Sequence, residues 1–132
     1  MLSSIKKYFL GSTLVLVSPN LIAENLGIYC WRQEPLSHVL CFAVEVIQGR
    51  YYSLIGEDLL PQEARYPVRG SALFDEFHGL FRLEFTQNLG GAFVFENSVT
   101  LDQHTLNGTW NDDSGSSGNF LYLGPGPLET AQ

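Results

Sequence analysis

Beyond residue 7 the sequence contains no lysine, and after residue 23 it shows no apolar stripe of helical period. Nor does it hold an apolar run long enough to cross a bilayer as a helix. The best stretch, Tyr8–Val17, is too short for the roughly 20 residues a span needs, and Pro19 follows it. Positive charge is scarce: after Ala23 the cations are Arg32, Arg50, Arg65, Arg69 and Arg82, against all 14 Asp and Glu residues, a formal charge of −9. A surface of that sign repels phosphate backbones and anionic lipid, so nucleic acid is excluded as a partner and a membrane surface is disfavoured. With two cysteines and three histidines, the raw material for a metal cluster or a nucleophilic centre is thin.

The beginning of the chain differs from the rest. Lys6 and Lys7 give a positive start, an apolar segment follows, and Leu21-Ile22-Ala23 precedes Glu24. This is the three-part layout of a secretory signal, with cleavage expected after Ala23. Removing those 23 of 132 residues leaves 109, enough for one small domain, 24–132, whose end from about residue 124 (Gly-Pro-Gly-Pro) reads as a loose tail. The expected location is the periplasm or the extracellular medium.

Cys30 and Cys41 both lie in the exported part, where an oxidising compartment permits a disulfide. Glu34-Pro35-Leu36-Ser37 reads as a four-residue turn. If it joins two antiparallel strands, residues 33 and 38 pair first and 30 faces 41 in a non-hydrogen-bonded pair. Side chains approach closest in such pairs, which suits a bridge.

Gly, Asn, Asp and Pro clusters divide the remainder into strand patterns at roughly 26–33, 38–48, 50–57, 66–74, 79–87, 91–99, 104–111 and 117–123. The longer join, 58–65, is expected to be an irregular loop. Within the strands apolar residues alternate with polar ones. One face collects Tyr29 and Trp31; Leu40, Phe42, Val44 and Val46; Tyr52 and Leu54; Val68 and Phe74; and Phe81, Leu83 and Phe85. Phe93, Phe95, Leu106, Trp110, Phe120 and Tyr122 complete it, and the proposed disulfide falls on the opposite face. One apolar face repeated over about eight strands is what a sheet closed on itself requires. The fold class is therefore all-β, an antiparallel meander barrel of about eight strands, with a two-sheet sandwich as the alternative.

Catalytic chemistry finds little footing. His38, His78 and His104 sit at turns or strand ends without spaced partners. The acidic pairs Glu57-Asp58, Asp75-Glu76 and Asp112-Asp113 read as turn residues bonding their own backbone. Asn111–Gly118 is rich in oxygen ligands, but it lacks the spacing of a calcium loop and reads as a hairpin turn. Asn107-Gly108-Thr109 matches a glycosylation acceptor, yet Gly108 suits a bend in a closing sheet. No catalytic residue, metal or cofactor is expected.

The aromatic inner face remains. It either fills the barrel or lines a pocket, and Tyr29, Trp31, Trp110 and Tyr122 carry polar tips suited to a mouth that takes an apolar or aromatic ligand.

Two stretches carry a family resemblance. Leu26-Gly27-Ile28-Tyr29-Cys30-Trp31 resembles the Gly-x-Trp start of lipocalins, with Tyr29 in the Trp position. Leu106-Asn107-Gly108-Thr109-Trp110 and the following Asn111–Ser116 resemble the first hairpin of avidins. There Ser116 matches a ligand-contacting Ser, and Asp112 stands where that family has Asn. The chain thus looks like a calycin, the lipocalin and avidin type of small secreted barrel, covering some 20 residues of motif. The resemblance implies a barrel that binds a small ligand at one end.

The expected function is an exported, non-enzymatic barrel that binds a small apolar molecule. The alternative is an envelope or secreted module that docks or inhibits a protein. A lesser alternative is an outer-membrane barrel, whose alternation mirrors that of a soluble one.

Overall fold

Tight turns at Gly49-Arg50, Glu76–Gly79 and Asp113–Ser116 return the chain on itself, so each strand pairs with its successor. In the computed structural model, residues 24–59 and 65–125 are described. They form β1 (Glu24–Glu34), β2 (His38–Gln48), β3 (Tyr51–Leu59), β4 (Arg65–Asp75), β5 (Leu80–Asn88), β6 (Val94–Asp102), β7 (Gly108–Asp112) and β8 (Ser117–Pro125). Every neighbour is antiparallel, and β8 pairs with β1, which closes the sheet into a barrel. Closure removes the sandwich alternative, because both ends of the meander are paired with each other. The expected signal segment lies outside the described residues, as does most of the tail; β8 itself runs through Gly124 to Pro125.

The β1–β2 register is the one the turn length dictates: Gln33 pairs with His38 and Cys30 with Cys41. The two cysteines form a disulfide across a Cα–Cα distance of 4.0 Å. The bridge lies on the face opposite Trp31 and Leu40, and both cysteines are buried. It is compatible with an oxidising, extracytoplasmic compartment.

Barrel closure bends the strands hard enough that neighbouring backbones touch where side chains would stand. A Cβ on Gly108 would lie 1.7 Å from the Thr100 carbonyl oxygen, and one on Gly56 would lie 1.8 Å from that of Cys41. Only glycine fits there, and both positions share the parity of the inner face.

The strand boundaries differ from the sequence expectation by up to four residues, and three of these differences move candidate residues. The sixth strand begins at Val94 instead of 91, because Gly90 and Gly91 hold φ of 103° and 57° and extend the turn. Hydrogen bonds from Leu89 N to Phe93 O and from Phe93 N to Gly90 O close that turn, leaving Phe93 63% exposed and outside the core. The seventh strand begins at Gly108 instead of 104, because the Asp102 carboxylate accepts the backbone N–H groups of His104 and Thr105 and locks a loop. The third strand runs on to Leu59, so Glu57 and Asp58 belong to a strand and not to a loop.

Aromatic rings fill the middle of the barrel. Trp31 stacks on Phe120 at 5.7 Å, Phe42 meets Phe85 at 5.3 Å, and Phe85 lies 6.0 Å from Phe120. Phe42, Phe85 and Phe120 are fully buried, each contributing on the order of 1.5–3 kcal/mol through removal from water. This belt separates two ends of different chemistry.

Candidate functional site

At one end, where the β2–β3, β4–β5 and β6–β7 turns gather, the barrel is hollow. A cavity of about 200 Å³ opens there. Buried Trp31, Leu54, Leu83 and Leu101 form its inner wall, with Tyr52 and Ala72 beside them. Leu26, Tyr29, Val44, Phe81, Leu106 and Gln103 complete the lining toward the rim. Ala72 is the one small side chain in the lining, and Leu106 lines the cavity from the β6–β7 loop on a positive φ of 64°. None of the lining residues is charged.

Two of the polar tips around the cavity are already engaged. The Trp31 indole N–H donates to the Leu106 carbonyl at 2.8 Å, and the Tyr29 hydroxyl donates to the Leu26 carbonyl at 3.2 Å. Tyr52 differs. It is 95% buried, as its 5% exposure implies, and among the described residues its hydroxyl makes no hydrogen bond. Burial pushes its pKa above the ordinary tyrosine value, which keeps the group a neutral O–H.

The opposite end, where β1–β2, β5–β6 and β7–β8 turn, is closed by polar side chains. Gln33, Asp58, Gln87 and Asn97 are all buried inside the barrel. Three amides form a ring: Gln33 Nε2 donates to Asn97 Oδ1 at 3.1 Å, Asn97 Nδ2 to Gln87 Oε1 at 2.6 Å, and Gln87 Nε2 to Gln33 Oε1 at 3.0 Å. Gln87 Nε2 also donates to Asp58 Oδ2 at 2.8 Å, which lies 3.2 Å from His38 Nδ1. Asp58 Oδ1 is buried and, among the described residues, has no partner. Trp110 roofs this end, its indole N–H donating to the Glu34 carbonyl at 2.8 Å.

The four candidate ligand residues therefore divide. Tyr29 and Trp31 line the cavity, and Tyr122 joins them by stacking on Tyr29 at 6.4 Å and meeting Trp31 at 5.4 Å. Trp110 sits at the polar end, buried and away from the cavity. The avidin-like hairpin is also at the polar end, and its groups serve the turn. Asp112 Oδ1 accepts the N–H groups of Ser114 and Ser116 and the Ser114 hydroxyl.

The acidic pairs divide too. Asp75 is a turn residue as expected: the His78 ring, the His78 N–H and Arg82 all bond it. The His78 ring above all holds its pKa at about 2, below the ordinary 3.8. Asp58 is instead a buried barrel residue, and His38 has found a partner 20 positions away. A parity argument locates it. Tyr52, Leu54, Gly56 and Asp58 alternate onto one face, as do Trp31 and Gln33, Phe85 and Gln87, and Asn97 and Val99. Tyr52, Ala72 and Leu101 belong to the cavity but carry no motif, so only the alternation could have found them.

Among the described residues no group of three or more His, Cys, Asp or Glu is placed to hold a metal ion. The closed eight-stranded antiparallel barrel is compatible with the calycin type. No protein-family model, curated protein or solved structure gives a significant match to the chain.

Proposed function

We propose that this chain is an exported, non-enzymatic barrel that binds one small, largely apolar molecule inside its hollow end, in the periplasm or outside the cell. The cavity carries the reading: an uncharged, aromatic-lined space in a barrel whose other end is closed. Its volume of about 200 Å³ falls below the roughly 300–1,000 Å³ of pockets for drug-sized molecules. It exceeds the roughly 150 Å³ of a protein cavity that takes benzene. A single ring or a short chain is the right size. An unpaired charge would be desolvated there without compensation, so the ligand is neutral.

The exterior supports a water-facing barrel over a membrane one. Arg69, Arg82, Glu84 and Glu96 project outward and are exposed, whereas Trp31, Phe42, Phe85, Trp110 and Phe120 are buried inside; a lipid-facing barrel needs the reverse.

The test is mass spectrometry of the protein recovered after export of the full chain. The expected native mass exceeds the denatured mass by one small molecule, which is released on denaturation. Identical masses after exposure to a panel of small aromatics, together with no heat of binding, would sink the reading.

A further inference from the structure

The polar inventory of the cavity is lopsided. Trp31 and Tyr29 have spent their hydrogens on backbone carbonyls of the same end. Gln103 is exposed at the rim, in contact with water. Tyr52 alone combines deep burial with a hydroxyl that has no protein partner among the described residues. That oxygen keeps access to water, since among the described residues Asp58 Oδ1 is the buried side-chain oxygen without a partner; a guest that displaces the water without replacing its hydrogen bond binds less well, and a phenol can both donate and accept. The rest of the wall is hydrocarbon and ring surface.

We infer that the cavity selects a neutral single-ring compound bearing one hydroxyl or similar hydrogen-bonding group, placed against the Tyr52 hydroxyl. This rests on the cavity being a binding site, as proposed above, and adds what chooses among ligands. An unsubstituted hydrocarbon leaves Tyr52 unpaired. A charged ring, such as a benzoate, has no counter-charge among the lining residues. The ring-with-hydroxyl class satisfies both the wall and the Tyr52 hydroxyl. Discrimination of this kind arises because the wrong guest covers the site's own polar group and leaves it unpaired.

The experiment compares 4-methylphenol with toluene on the exported protein by isothermal titration, then repeats the pair on Tyr52→Phe and Gln103→Leu. The wild type is expected to bind 4-methylphenol on the order of tenfold more tightly than toluene, the worth of one hydrogen bond. Tyr52→Phe should lose that preference while binding toluene at least as well, which also shows that the variant is folded. Gln103→Leu should keep the preference. The inference is overturned if the wild type binds toluene as tightly as 4-methylphenol, if Tyr52→Phe retains the preference, or if Gln103→Leu abolishes it. If the wild type binds neither probe, the binding function itself falls.

Discussion

The two ends of this barrel answer the same geometric problem in opposite ways. A closed sheet of eight strands has an interior only just wide enough for side chains. At the polar end four buried polar residues fill it: three amides bond one another in a ring, and Gln87 ties that ring to Asp58, whose Oδ1 has no partner among the described residues. At the other end uncharged, mostly apolar side chains enclose an open cavity. A hydrogen-bonded polar network rigidifies because each group depends on its neighbours. An apolar hollow does not, and it is free to exchange its contents. Under the proposed function, the difference teaches that stability and binding fall to separate ends, divided by the belt of Trp31, Phe42, Phe85 and Phe120.

That division can be broken from either side. The largest effect is expected at Gln87, the hub that donates to Gln33 and Asp58 and accepts from Asn97. Gln87→Leu leaves three buried groups each short of a partner, so the barrel should lose about 3 kcal/mol or more in urea denaturation. The cavity lining should be unaltered, so any protein that remains folded should bind as before. Ala72→Leu tests the reverse. It fills the hollow, so stability should move by no more than about 1 kcal/mol in either direction, while binding of a small aromatic should fall at least tenfold in titration. If Ala72→Leu strongly destabilises the barrel, the hollow end is more tightly packed than its volume implies.

The smallest effect concerns the outer surface of the hollow end, where Asp75 is held by His78 and Arg82. Its folded pKa is depressed to about 2 from 3.8. Its contribution is therefore fully present above the unfolded value and is lost as pH falls from 3.8 toward 2. Asp75→Asn should lower stability slightly at neutral pH, and the gap to wild type should close across that acid window. Acid unfolding curves of the two proteins check this.

Much of this was legible in the sequence because two kinds of signal are local. Turn length set the β1–β2 register, and with it the Cys30–Cys41 bridge. Alternation set the inner face, hence the barrel. What escaped was whatever depends on closure. Asp58 lies next to Glu57 near a loop and looks like a turn carboxylate; only its parity with Tyr52 and Leu54 says otherwise. Phe93 has the opposite history: alternation points it inward, but Gly90 and Gly91 carry it into the turn. Trp110 and Trp31 carry the same polar tip and share a face, yet their strands deliver them to opposite ends. A cavity volume is not a property of any one strand, so no pattern along the chain encodes it.

The most direct test of the division is an NMR titration of the ¹⁵N-labelled exported protein with 4-methylphenol. The account predicts amide shifts around Val44, Tyr52, Leu83 and Leu101, with Gln33, Asp58, Gln87 and Asn97 unmoved. Shifts centred on the polar residues, or spread evenly over both ends, would contradict it.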